Sequence, residues 1–532
     1  MLACPNCGGQ MKFNIPTQDL YCEYCGTHMD PYSYEEGKNA KEEKTFDTTV
    51  FICPQCGGEI IGEDTSAAEF CSFCGASTVL ESRISRERRP KYIIPFQKTK
   101  DECKEAYSKH VKKAVFAPKE LRDAKYINSF RGIYIPYWAY FIDQKAQVAM
   151  PGSTTYRSGN YRCTDHYTLN FDLNAYYKGL SYDASSSFDD SISAGIAPYD
   201  VRGMKEFVPS ILSGFYADTS DVDCNIYIED AMSIADGDTL KQIELQHEFN
   251  GITPETPPTI TGLNYIFGTQ CQAIDSTLYP VWFMSYRKGD RVAYAVVNGQ
   301  TGKVTADLPV DTSKYVLISL IAAIPLFLLL NFLPTIIPSA LITIASFFAV
   351  ITQFTYASEL RKITAKEQRT TDKGYLSKHG RMDSYDSSNE KIKIKKRTKS
   401  SKGGFASTVI IIIVAIQIFV ATRSSVSSLF TSVWAQLAVT VFSGLSMSSC
   451  LKTQKKTFSN NGAPVFVFSF AAVVIGLAIR IFKPVSDIYY YASALLILAT
   501  VVMTNIGIIG RHNILTTRPL PQFNRHGGDD RA

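Results

Sequence analysis

Eight cysteines carry the plainest chemistry in this sequence. They fall in four Cys-x-x-Cys pairs near the amino terminus: Cys4/Cys7, Cys22/Cys25, Cys53/Cys56 and Cys71/Cys74. Two intervening residues let one tight turn point both thiolates at a common ion, and four thiolates in a tetrahedron suit zinc. In each half, 14 residues separate the first pair from the second, room for a hairpin that brings two knuckles together. The spacing predicts two structural Zn2+ ions. Cys4, Cys7, Cys22 and Cys25 hold one; Cys53, Cys56, Cys71 and Cys74 hold the other. With every corner filled by protein, neither site keeps a position for substrate or for an activated water. Redox dithiols fit less well, because no βαβ pattern surrounds the pairs. A cross-braced arrangement between the halves would leave unexplained why each half is complete. His28 follows Cys25 closely, but four thiolates already fill that site, so it reads as a surface residue.

The two halves are copies. Cys4-Pro-Asn-Cys7-Gly-Gly-Gln-Met matches Cys53-Pro-Gln-Cys56-Gly-Gly-Glu-Ile at an offset of 49, and Gly26 and Gly75 follow the second pairs. Glycine there lets the backbone turn left-handed and aim its N–H groups at the sulfurs. Residues 1–30 and 50–81 therefore read as tandem small zinc ribbons, 31–49 as a polar linker, and 82–91 as a basic linker holding Arg83, Arg86, Arg88, Arg89 and Lys91. The remaining five of 13 cysteines (Cys103, Cys163, Cys224, Cys271, Cys450) are scattered singly. An odd remainder fits a reducing compartment, with these residues acting as small hydrophobes. The chain opens on its first pair rather than on a basic and then apolar leader, so no cleaved signal peptide is expected.

Behind the cysteines, the whole-chain figures (532 residues, 20% charged, net charge +5) average two unlike halves. Residues 92–312 read as an α+β domain. Thr99-Lys-Asp-Glu102 has the capping-box form ahead of an amphipathic run to about Phe116. Aromatic and β-branched runs over 132–142, 278–286 and 291–297 read as strands, with turns at Lys288-Gly-Asp and Asn298-Gly-Gln-Thr-Gly302. The stretch 151–209 is rich in Ser, Gly, Asp and Tyr, and its elements are not assigned from the sequence.

From Tyr315 the chain is mostly long runs without charge. A span needs roughly 20 apolar residues. Residues 316–358 carry no charged side chain over 43 positions, broken near the middle by Asn331, Pro334 and Pro338, which predicts a helical hairpin over 315–357. Four further spans are expected within 405–510, at 406–422, 426–447, 464–479 and 488–510, giving an all-α transmembrane region of about six helices. The 358–404 loop holds 14 Lys and Arg against 6 Asp and Glu, and Lys452, Lys455, Lys456 and the 511–532 tail add more. The opposite connections are nearly bare. By the positive-inside rule both termini and both basic loops lie in the cytosol of a multi-pass cell-membrane protein.

The tandem CPxCG ribbons, Tyr92-Ile-Ile-Pro-Phe96, Gly132-Ile-Tyr-Ile-Pro-Tyr-Trp138, Tyr279-Pro-Val-Trp282 and Asn298-Gly-Gln-Thr-Gly-Lys303 together resemble the bacterial TFIIB-type zinc-ribbon membrane proteins. The resemblance spans residues 1 to about 340. Some such proteins neighbour phage-shock and SPFH-type membrane-stress systems, which implies a membrane-anchored adaptor. They are often labelled replication-restart helicase through the cysteines alone, but no G-x-x-x-x-G-K-[ST] phosphate cradle occurs here.

Other constellations are thin. His247-Glu248 lacks the second histidine of H-E-x-x-H, and no G-x-S-x-G occurs. Cys163-Thr-Asp-His166 places nucleophile, acid and base types too close in sequence to converge as a triad. The 83–91 cluster and the basic run 391–402 could meet phosphates of nucleic acid or anionic lipid. The span interiors hold no ionisable side chain, which disfavours an ion- or proton-coupled transporter. The expectation is a non-enzymatic membrane adaptor, with structural zinc as cofactor, membrane lipids around it, protein partners at the cytosolic face and no small-molecule substrate. The alternatives are a membrane-tethered nucleic-acid binder, and a channel or transporter with a regulatory zinc-ribbon head.

Overall fold

The computed structural model describes residues 2–34, 45–53, 55, 59–61, 81–246, 249, 251–255, 260–288, 291–330, 337–385, 433–457 and 465–519. Cys56, Cys71, Cys74, His247, Glu248, the 406–422 span, the start of the 426–447 span, the 391–402 basic run and the end of the tail lie outside the described residues.

The first ribbon is a three-stranded antiparallel sheet of β1 (Met11–Asn14), β2 (Asp19–Cys22) and β3 (His28–Met29). It does not stand apart. Met11, Phe13 and Leu20 are buried in the same core as Ile93, Phe96, Tyr134 and Ile211 of the α+β part. Polar contacts seal the seam: the Phe13 N–H donates to the Ser213 carbonyl (3.1 Å), Ser213 Oγ donates to the Met11 carbonyl (2.6 Å), and Ser210 Oγ donates to the Pro31 carbonyl (2.8 Å).

The flanks of the second ribbon also differ from linkers. β4 (Thr45–Ile52) pairs antiparallel with β5 (Glu59–Ile61) and, over eight residues from Thr45↔Arg88 to Ile52↔Glu81, with β6 (Glu81–Arg88). The β-branched Thr45, Thr48, Thr49, Val50 and Ile52 favour extended backbone.

The α+β part is built on two long strands. β7 (Tyr92–Ile93) lies parallel to a later strand, while β8 (Arg131–Ser158) and β9 (Tyr161–Asp183) form a hairpin. β10 (Tyr216–Ala217) joins β8 to β5. β11 (Thr269–Lys288) pairs with β8 on one side and β12 (Arg291–Asn298) on the other. β13 (Val304–Ala306) and β14 (Arg518–Pro519) both add to β12. The first expected helix is α1 (Lys100–Lys113), and both halves of its capping box form. α2 (Ile228–Leu245) packs on the hairpin through Ala231 and Ala235. The expected turn at 298–302 closes with the Gly302 N–H donating to the Asn298 carbonyl (2.9 Å) and a positive φ at Gly302.

Among the described residues, three helices are long and apolar enough to cross a membrane: α4 (Pro338–Glu367), α6 (Val433–Thr457, apolar to Lys452) and α8 (Ile488–Leu515). Two shorter apolar helices accompany them, α3 (Thr312–Leu330) and α7 (Val465–Phe482), and the small helix α5 (Lys373–Lys378) follows α4. Apolar side chains point outward from this group, with Leu320 62% and Leu495 72% exposed, while amides and hydroxyls point inward. Gln353 Oε1 accepts from Ser443 Oγ (2.9 Å) and Ser446 Oγ (2.6 Å), and Gln353 Nε2 donates to Ser469 Oγ (3.1 Å). Such inverted patterning is what an apolar solvent favours: interhelical hydrogen bonds are satisfied inside and hydrocarbon is met outside. Arg480, counted among loop residues by its position in the sequence, lies within α7, buried, donating to the Ser339 carbonyl (3.0 Å) and to Thr343 Oγ1.

Candidate metal centre

Two short loops make the site. The first carries Cys4 and Cys7 into β1; the second follows β2 and carries Cys22 and Cys25. The loops are geometric copies. The Gly8 N–H donates to the Cys4 carbonyl (2.8 Å) and the Gly26 N–H to the Cys22 carbonyl (2.9 Å), with φ of 73° and 70° at the two glycines. Only glycine enters that region without strain, so the sequence rule behind Cys-x-x-Cys-Gly is visible as backbone geometry. The Gly9 N–H then donates to Cys7 Sγ (3.4 Å), as expected of a knuckle that solvates its thiolate.

The four sulfurs converge, all lying within 4.8 Å of one another, with Cys4 Sγ 3.6 Å from Cys25 Sγ and Cys7 Sγ 3.5 Å from Cys22 Sγ. Cys4 and Cys22 are buried against the ribbon core; Cys7 and Cys25 are exposed. This tetracysteine group can hold a metal ion. Its electrostatics favour one. The Thr27 hydroxyl, 3.0 Å from Cys25 Sγ, and the Thr27 backbone hold the Cys25 thiol down to about 6. At Cys7 the Gly9 N–H favours the thiolate, but the neighbouring Cys25 and Cys22 outweigh it and push that thiol up to about 12. Four sulfurs this close cannot all ionise without a cation among them.

His28 stays out of the site, its Nδ1 2.8 Å from Asp19 Oδ2 on the ribbon surface. Thr27 is a contributor that spacing arguments miss, because no cysteine rule marks it. Of the second set, Cys53 is described and buried. The Cys163–His166 segment runs along β9, where alternate residues face opposite ways; His166 instead lies 3.5 Å from Glu255. Cys103 is buried in the α+β core, and burial pushes its thiol up, as fits a small hydrophobe.

A second junction ties the α+β part to the helix ends. From β12, Arg291 Nη1 meets Glu367 Oε1 of α4 (2.9 Å), and Nη2 donates to the Ile514 (2.9 Å) and Thr517 (3.0 Å) carbonyls at the end of α8. Arg518 Nη1 lies 2.8 Å from Asp189 Oδ2, and Lys373 Nζ 2.6 Å from Asp230 Oδ2. Asn513 of α8 exchanges two hydrogen bonds with the Val310 backbone (2.7 and 2.8 Å).

These features define a class: an α+β domain that carries a tetracysteine ribbon in its own core and is fastened to a group of apolar helices. No family model matches the sequence, and no solved structure matches it significantly. It is 33% identical over 317 residues to the uncharacterised protein YdjG of Bacillus subtilis (strain 168), an alignment covering 58% of this chain and 90% of that one. The chain belongs to the family of that protein.

Proposed function

We propose that this chain is a multi-pass membrane adaptor, whose zinc-locked ribbon and α+β domain present one rigid cytosolic surface to protein partners. The observation that carries the reading is the pair of junctions: the ribbon shares a core with the domain, and the domain is bolted to the helix ends. An enzyme needs an open site, whereas a recruiting platform needs a fixed surface. Zinc is the ion that fits. A tetrahedron with zinc–sulfur bonds of about 2.3 Å has edges of about 3.8 Å, close to the 3.5 and 3.6 Å separations here. The repeat implies a second ion at Cys53, Cys56, Cys71 and Cys74.

Helix directions support six crossings. Gln436 of α6 meets Ser346 and Ser449 meets Arg361, so α6 runs parallel to α4, and both finish on the domain side. Arg480 meets Ser339, so α7 runs the other way. A chain that finishes α4 and begins α6 at opposite faces requires one crossing between them, matching the charge-free 406–422 run. The 14 basic residues of 358–404 support a cytosolic domain side.

The reading is tested by cross-linking the full chain in its membrane, extracting it in mild detergent and identifying what is attached. Partners lost in Cys22→Ser, at unchanged membrane insertion, are the expected result. Capture of nucleic acid released by salt, with no protein partner that depends on the ribbon, would overturn it in favour of a tethered nucleic-acid binder.

A further inference from the structure

The turn after α1 reads Lys112-Lys113-Ala-Val115-Phe116-Ala-Pro-Lys119, an apolar tip between lysines with Glu120 as its nearest acid in sequence. Val115 at this tip is 59% exposed, and Lys112, Lys113 and Lys119 are exposed around it. The turn sits where α3 begins. The Asp311 N–H donates to the Phe116 carbonyl (2.8 Å), Lys314 Nζ donates to the Ala117 carbonyl (2.6 Å), and the Phe116 and Tyr315 rings lie 5.4 Å apart. Between the turn and the segment leading into α3 lies a groove of about 230 Å³, lined by Lys113, Val115, Phe116, Leu308, Pro309 and Val310. Beyond Tyr315, α3 exposes an apolar flank, with Leu317 60% exposed.

We infer that this turn is a membrane wedge: Val115 and Phe116 enter the cytosolic leaflet, and the groove seats one anionic phospholipid whose headgroup meets Lys112, Lys113 and Lys119. The inference rests on the reading of α3 as a membrane span. Three observations select this occupant. The groove is smaller than the roughly 300–1,000 Å³ of a self-contained ligand pocket, so its occupant extends beyond it. The turn meets α3 at Tyr315, and the next residues of α3 expose Leu317 and Leu320, apolar surface that suits an acyl chain and not a polar solute. The rim is cationic, and paired aromatic rings at the start of a span mark the interface level. Each lysine near an anionic leaflet is worth about a fivefold preference, so two of them give about 25-fold.

The test uses the full chain in nanodiscs of phosphatidylcholine alone or mixed with phosphatidylglycerol, either lipid brominated high on its chains. Tryptophan emission of Val115→Trp is compared with that of the parent chain. The expected result is quenching by both lipids, stronger by brominated phosphatidylglycerol, with that preference lowered about 25-fold by Lys112→Gln plus Lys113→Gln. A tip that neither lipid quenches overturns the wedge. Equal quenching by the two lipids, unmoved by the lysine changes, overturns the anionic site. Leu320→Trp in the same discs separates the two layers of the argument. If it too escapes quenching, the reading of α3 as a span fails; if it is quenched while Val115→Trp is not, only the wedge fails.

Discussion

Replacing Arg291 tests how firmly the α+β domain is held to the helix ends. Its guanidinium faces Glu367, the Ile514 carbonyl in the last turn of α8, the Thr517 carbonyl just beyond it, and Thr517 Oγ1 (2.8 Å). Both side chains of the ion pair are only about a quarter exposed (28% and 25%), so solvent screens them partially. Arg291→Ala leaves a carboxylate and two carbonyls without their charged donor. Hydrogen bonds to charged groups are worth roughly 1.5–3 kcal/mol each and do not add fully, which puts the loss at about 3 kcal/mol. At 1.4 kcal/mol per tenfold this is roughly a 100-fold larger opening equilibrium. Hydrogen exchange of the full chain in detergent reads it directly. Amides of 514–519 should exchange about 100-fold faster, while those of α1 stay unchanged. Arg291→Lys should fall between, keeping the charge near Glu367 but losing the fork that reaches both carbonyls. Unchanged exchange at 514–519 in Arg291→Ala would refute the junction as a structural clamp.

Further perturbations probe other parts of the account. Asp218, buried and accepting from Ser185 Oγ (2.5 Å) and Ser187 Oγ (2.8 Å), is pushed up by burial to about 7 from an ordinary 3.8. Its folded-state value lies above its unfolded one, so its protonated form favours folding and stability falls as pH rises between about 4 and 7. Asp218→Asn should flatten thermal stability across that window; a parent-like slope would contradict this. Leu20→Ala, at the fully buried centre of the ribbon seam, should cost about 3 kcal/mol and sensitise the ribbon to protease, with an unaltered digestion pattern as the contrary result. Reporter fusions at Gly37, Asn389 and Arg531 should report the cytosol and one at Arg423 the outside. An external Asn389 would invert the topology.

Legibility in the sequence followed how local each determinant is. The Cys-x-x-Cys-Gly knuckles and the Thr99–Glu102 capping box depend on neighbours within a few residues, and both form at the residues that define them. The 132–142 and 278–286 runs are long and apolar and lie within β8 and β11. Within the 151–209 stretch a period-2 signal is present at Leu169, Phe171, Leu173, Ala175 and Tyr177 of β9, of which the first three pack beside Ile243 of α2, whereas the tip of the β8–β9 hairpin is exposed on both faces and carries none. β6 was masked by its charges, since its pairing with β4 lies far off in sequence. The ribbon seam was illegible for the same reason: nothing near Met11 or Phe13 announces that Ser213 will close it. Arg480 reads as a loop residue until Ser339 and Thr343 of another helix are seen to receive it.

The central claim, that a metal-locked ribbon is built into the membrane protein, is tested most directly by metal content. The full chain, purified reduced in mild detergent and free of added metal, should contain two zinc ions, and Cys22→Ser should contain one. Protein that is reduced, folded and nearly zinc-free would contradict the account. Loss of both ions together in Cys22→Ser would contradict the independence of the two sites.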